Sequence, residues 1–177
     1  GLCRRLAGPH HSIAADLDDA AQRERVVRHC AQTGLDVLIN ALGVMDFRLF
    51  EDQAPTAIER MVQTNLLAPM LLCQRLVPVL KRREEAAIVN IGSIFGSIGH
   101  PGFTAYCASK FGLRGFTEAL QRELHDSPVR VAYLGDRPLI QTARERRRGF
   151  LEELGRVGVA TRDVPVVAGL HDEETAR

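Results

Sequence analysis

Tyr106 and Lys110 stand four residues apart in the run Tyr106-Cys-Ala-Ser-Lys110, and Ser93 lies thirteen residues upstream of Tyr106. Residues four apart share one face of an α-helix, so this spacing brings a phenol and an ammonium together. A free tyrosine titrates near ~10, and a cation within ~4–6 Å favours a neighbour's charged form by ~1–3 pKa units. A phenol tuned in that way could exchange a proton with a substrate near neutral pH, as general acid–base catalysis requires. A hydroxyl aimed at the same substrate oxygen, which Ser93 could supply, would stabilise the charge developing there.

The elements that must hold these groups alternate between strand and helix, which predicts a parallel α/β sheet. Ser12–Leu17 reads as a short strand ending in an acidic turn. Asp18 or Asp19 is placed to cap a helix that runs to about Thr33, with Gly34 as its stop signal. Asp36–Asn40 is the next strand, and residues 56–81 read as a long helix interrupted by Pro69 and Pro78. Residues 87–92 have too few polar positions to face water, as in the middle of a parallel sheet. Thr104 to about His125 is the helix carrying Tyr106 and Lys110, and Val129–Leu134 is a further strand. Leu151–Leu154 reads as a short helix, and His171–Arg177 as a frayed end. Asp16, Asn40 and Ser93 therefore fall at or just beyond the carboxyl ends of three strands. Open α/β sheets bind ligands in the crevice outside that edge.

Asn65 shares an apolar helical stripe with Ile58, Val62, Pro69, Leu72 and Leu76, so its amide should face packed structure and need partners there. Pro69 has no N–H to offer the Asn65 carbonyl, so a kink is expected and that carbonyl is left for a water. The loop Gly92-Ser-Ile-Phe-Gly96-Ser-Ile-Gly99 imitates a phosphate-binding glycine loop. However, His100-Pro101-Gly102 follow it, whereas a phosphate loop opens directly into a helix. Ser97 is a weaker substitute for Ser93 as hydroxyl donor, and His100 and Phe103 are candidates to line a substrate pocket. Ala105, Ala108, Gly112, Gly115 and Ala119 trace a stripe of small residues that would let another helix approach closely.

Asn40-Ala41-Leu42-Gly43, Asn65, Ser93 and Tyr106-Cys-Ala-Ser-Lys110 together resemble the short-chain dehydrogenase/reductase family in order and spacing, over about residues 10–134. The resemblance implies a doubly wound, Rossmann-like parallel sheet and the interconversion of an alcohol and a carbonyl with NAD or NADP. By the same resemblance, Tyr106 is the proton donor or acceptor and Ser93 orients the substrate oxygen. Lys110 tunes Tyr106 and holds the nicotinamide ribose, while Asn65 holds a water that links the lysine to solvent. Asp16 with Leu17, and Asn40 with Ala41, would contact the adenine and its ribose. Relatives commonly pair through the Tyr106 helix and the preceding long one, which implies a homodimer or homotetramer.

The chain also departs from the pattern. The family's first strand, glycine-rich turn, and following helix and strand have no counterpart, so the sequence reads as a fragment beginning near the end of a second helix. NAD and NADP both stay open, because the strand end that reads the ribose 2′ position belongs to that unit. Gly135-Asp-Arg-Pro-Leu-Ile-Gln-Thr142 replaces the usual Pro-Gly followed by a Thr that contacts nicotinamide, with Thr142 as a displaced counterpart, and residues 135–177 diverge. Two other readings remain. One is a non-catalytic dimerising or binding module that has lost its glycine loop. The other is an epimerase or dehydratase of the extended branch, whose large C-terminal substrate region has no room here.

At 177 residues the chain suffices for one domain with a substantial core, and 45% apolar with 25% charged residues is ordinary for a soluble protein. A net charge of +1 gives no electrostatic argument for nucleic acid or an anionic membrane. The basic cluster Arg144–Arg148 sits in a segment, 141–177, with seven Arg and seven Asp or Glu, so it reads as a solvated mixed-charge tail. Cys3, Cys30, Cys73 and Cys107 are scattered without metal-ligand spacing, which fits reduced thiols in the cytoplasm and no metal site. No apolar stretch approaches the ~18 residues needed to cross a bilayer, and no signal peptide is visible.

Overall fold

The structure is a computed structural model that describes residues 12–135. Residues Ile13–Ile140 form one compact unit; Gly1–Ser12 with Gln141–Arg177 form another, which apart from Ser12 lies outside the described residues. The expectations for Cys3, Arg144–Arg148, Thr142, Leu151–Leu154 and His171–Arg177 fall there.

Helix α1 spans Ala20–Thr33. The Asp19 carboxylate caps it by accepting the Gln22 N–H at 2.8 Å. Gly34 ends it at φ 84°, a left-handed conformation that costs glycine little and other residues more. Ahead of α1, Ser12–Leu17 is not a strand. Its carbonyls are taken by arginines instead of a neighbouring strand: Arg25 donates to Ala14 and Arg23 to Leu17.

Strands β1 (Val37–Asn40), β2 (Ala86–Ile91) and β3 (Val129–Leu134) form a parallel sheet in that order. All of β2 but Ile91 is buried, as the apolar run requires. Leu38, Asn40, Ala86, Ile88, Asn90, Val129, Val131 and Tyr133 share one face by strand alternation. On that face Cys73 and Leu80 of α3 (Ala68–Leu80) and Leu124, just past α4 (Thr104–Glu123), pack against Ala86, Ile88, Val129 and Val131.

The long helix predicted for 56–81 is two helices joined by a wider turn. Helix α2 covers Pro55–Val62, a π-helical turn covers Gln63–Leu67, and α3 follows. Pro69 causes it. Without a proline N–H for the Asn65 carbonyl, the Ala68 N–H reaches five residues back to Gln63. Pro78, expected to interrupt, does not; α3 runs through it to Leu80. The carbonyl it leaves without a donor is that of Gln74, which is exposed and open to water.

Candidate functional site

Strand β1 is in register with β2 and β2 with β3, so Asn40, Asn90 and Tyr133 stand side by side as the last inward-facing row of the sheet. Below them the same face is aliphatic. A polar row at this depth must find partners, because unpaired buried groups are costly. The Asn40 amide donates to Asn90 Oδ1 at 2.8 Å and to Cys73 Sγ at 3.4 Å. Asn90 donates to Thr117 Oγ1 at 2.9 Å, and Thr117 donates to the Leu113 carbonyl at 2.6 Å. Tyr133 Oη accepts the Ser93 N–H at 3.3 Å and donates to the Ser93 carbonyl at 3.5 Å. The row thus ties the sheet to α3, to α4 and to the Ser93 loop.

Four of the expected site residues gather above this row. Asn65 is fully buried, and its amide is saturated as the apolar stripe demanded. It donates to the Val44 carbonyl at 2.9 Å and to Ser109 Oγ at 3.0 Å, and it accepts the Val44 N–H at 2.7 Å. Ser109 in turn donates to the Tyr106 carbonyl at 2.7 Å. The side chain therefore pins the β1–α2 loop to α4, and the π-helical turn at Pro69 leaves its backbone carbonyl without the usual helical donor.

Lys110 is 3% exposed and has no carboxylate partner among its hydrogen bonds; its Nζ donates to the Ile91 carbonyl at 3.1 Å and to the Leu42 carbonyl at 3.3 Å. An ammonium has three donors. The third has no partner among the described residues. Burial lowers the Lys110 pKa from 10.5 to about 8. Nζ lies 5.9 Å from the Tyr106 ring centroid, so the two groups do share a helix face. The Leu42 carbonyl belongs to the loop that Asn65 holds, so Asn65 also positions Lys110.

Ser93 has extended backbone and caps a single helical turn, Ile94–Gly96, accepting the Phe95 N–H at 3.2 Å. Its hydroxyl hydrogen stays free to point at a substrate. Ser97, the alternative donor, instead accepts from Arg114 Nη1 at 2.9 Å. Phe95 and Phe103 both meet the Tyr106 ring in T-shaped geometry, at centroid distances of 6.3 Å.

The residues expected to hold adenine and ribose divide. Asp16 is exposed, with Oδ1 accepting the Asp18 N–H at 3.0 Å, and the half-buried Leu17 gives its carbonyl to Arg23. Asn40 differs from expectation. The residue as a whole is 3% exposed, with its side chain turned into the polar row, while Ala41 beside it is exposed. A nicotinamide cofactor fits what is present: Lys110 retains a donor for a ribose hydroxyl, and the buried Asp18 Oδ1 lacks a partner while Oδ2 accepts from Thr64 at 2.5 Å. A separate cleft of about 640 Å³, lined by Val44, Asp46, Arg48 and Arg60 among others, includes none of the four catalytic candidates.

Sequence reasoning missed Asn90, Ser109, Thr117 and Tyr133. Asn90 had a legible signal, an amide two residues after Ile88 on the core-facing side of an apolar strand. Tyr133 had none in its own neighbourhood. Its ring fills the space left by glycines: a Cβ on Gly92 would stand 2.0 Å from Tyr133 Cζ, and one on Gly96 2.1 Å from its Oη.

A model of the short chain dehydrogenase family matches residues 3–142. The chain is 33% identical over 145 residues to 3-ketodihydrosphingosine reductase of Bos taurus, covering 79% of this chain and 44% of that one. It is 32% identical over 130 residues to 3-oxoacyl-[acyl-carrier-protein] reductase of Homo sapiens, covering 71% and 54%. Nodulation protein G of Rhizobium meliloti (strain 1021) is 36% identical over 98 residues, covering 55% and 40%. A short-chain dehydrogenase structure from Streptomyces avermitilis superposes with a TM-score of 0.65 at 26% identity, covering 70% of this chain and 45% of that one. The chain thus spans about half the length of the relatives it matches. With a parallel sheet, flanking helices and this match over most of its length, the chain belongs to the short-chain dehydrogenase family.

Proposed function

We propose that the chain carries the catalytic half of an NAD(P)-dependent oxidoreductase that interconverts an alcohol and a carbonyl. One observation carries the reading. Lys110 is buried against two carbonyls, one helical turn from Tyr106 and over its ring, with one donor left for a ligand. A desolvated ammonium without a carboxylate is costly to maintain, and such groups concentrate at functional sites.

In this reading Tyr106 exchanges the proton at the substrate oxygen, and the Ser93 hydroxyl donates to that oxygen as charge develops on it. Lys110 holds a ribose hydroxyl and keeps its ammonium over the Tyr106 ring. The backbone carbonyl of Asn65, left without a helical donor by Pro69, holds a water between Lys110 and solvent. Asp16, Leu17 and the backbone of Asn40 and Ala41 meet the adenosine end. Bound NAD or NADP supplies or accepts the hydride. Scattered free thiols at Cys30, Cys73 and Cys107 support a reducing, cytoplasmic setting. Among the described residues no helix is long and apolar enough to cross a membrane. The outward-facing Ala108, Phe111, Gly115 and Ala119 of α4 support a homodimer or homotetramer.

Tyr106→Phe tests the assignment. Turnover should fall by about 10²–10⁴-fold with NADH or NADPH affinity nearly unchanged, measured by nicotinamide fluorescence. Retention of most of the rate would move proton transfer to another group. Failure of the parent chain to bind either nucleotide would favour the non-catalytic binding module.

A further inference from the structure

We propose that the aromatic face beside Tyr106 seats an uncharged alkyl or aryl group attached to the substrate carbonyl; this names the substrate class of the site and rests on the oxidoreductase reading. Four rings form the face. Phe47 and Phe103 lie 4.8 Å apart, Phe103 and Phe95 stack at 4.7 Å, and His100 meets Phe95 and Phe103 at 5.5 and 5.7 Å. The face is continuous with both reacting groups. Phe95 and Phe103 touch the Tyr106 ring, and the Phe95 N–H is bonded to Ser93 Oγ.

Its outer part is held in place without being buried. Phe47 is 64% exposed, yet its ring lies against Gly102, where any Cβ would stand 2.4 Å from Cε2, and φ is 82°. The Arg48 N–H donates to the Gly102 carbonyl at 3.1 Å and fixes the loop to that spot. A ring placed only for core packing would be covered. Met45, Leu49 and Phe50, close to Phe47 in sequence, are likewise apolar and 57–60% exposed. Arg48, the nearest cation in sequence, is paired with Asp46 at 3.3 Å, and three of the four rings of the face are uncharged phenyls. Apolar groups gain roughly 0.8 kcal/mol per methylene on full burial, about fourfold in affinity, and less on a half-open face.

The experiment uses the 177-residue chain and saturation-transfer NMR with methyl ketones from 2-butanone to 2-decanone, alongside keto acids of matching length with a terminal carboxylate. Affinity should rise about two- to fourfold per methylene in the ketones, and the keto acids should trail by about tenfold or more. Phe47→Ala, a surface change whose folding is checked by circular dichroism, should flatten the slope. A flat series, equal binding of the keto acids, no ketone binding at all, or an unchanged slope in Phe47→Ala would each overturn the proposal. A parallel NADH and NADPH titration separates the two ideas. A length-dependent series without nucleotide binding would remove the oxidoreductase reading and keep the apolar site. Nucleotide binding with turnover indifferent to chain length would do the reverse.

Discussion

Lys110 shows how much one side chain can ask of its surroundings. Between about pH 8 and 10.5 the unfolded chain holds a proton that the folded chain has released. Stability therefore rises with pH across that window and is lost again as pH falls through about 8. Lys110→Met removes the titrating group. Urea unfolding from neutral pH to 10.5 should show the wild type gaining roughly 1–3 kcal/mol on the variant. A parallel change in the two proteins would mean that the ammonium is not desolvated. Tyr133 gives a second residue-scale test, because its ring occupies the volume that Gly92 leaves. Gly92→Ala should cost about 1–3 kcal/mol, and Tyr133→Ala in the same chain should recover most of that cost. Thermal melts of the four proteins of the cycle decide it; strictly additive losses would show that Tyr133 is not the obstacle.

The element that governs the site is the wide turn between α2 and α3. It rotates Asn65 to a position where one amide reaches Val44 in the β1–α2 loop and Ser109 in α4. Pro69→Ala restores an N–H for the Asn65 carbonyl and lets the turn relax toward a regular α-helix. We expect the variant to keep its fold and to lose protection at the Val44 amide, read by hydrogen exchange, by about tenfold or more. Unchanged exchange at Val44 would mean that the turn is set by packing and not by the proline. The proline and its consequence were legible in the sequence, since a missing N–H is a local fact. The partners of the Asn65 amide were not legible, since Val44 and Ser109 reach it from distant parts of the chain.

At the scale of the molecule, the small-residue stripe of α4 divides between two tasks. Gly112 faces inward, where a Cβ would stand 2.9 Å from Leu66 Cδ2, so it serves the packing of α4 against the wide turn. Gly115 has nothing within 4 Å of its Cβ position, and Ala108 and Ala119 are exposed beside it. Val62 at the end of α2, 40% exposed, and Leu67 in the wide turn, 37% exposed, add apolar surface. Gly115→Glu should therefore shift sedimentation from an assembled to a monomeric species at micromolar concentration while leaving the melting temperature of the monomer nearly unchanged. A wild-type chain that sediments as a stable monomer would remove the homo-oligomer.

The amino-acid sequence by itself determined a helix cap at Asp18 or Asp19 and a stop at Gly34, strands at Asp36–Asn40 and Val129–Leu134 to within a residue, and the face shared by Tyr106 and Lys110; the structure chose Asp19. Each follows from spacing, capping chemistry or hydrophobic period within a few residues. The tertiary structure decided that Ser12–Leu17 pairs with arginine side chains instead of a strand, that the Asn40 amide turns into the core, and that Tyr133 supports Ser93 from below. Those outcomes depend on which groups meet across the register of the parallel sheet. No local pattern encodes that register, because it is set by the packing of whole strands against helices.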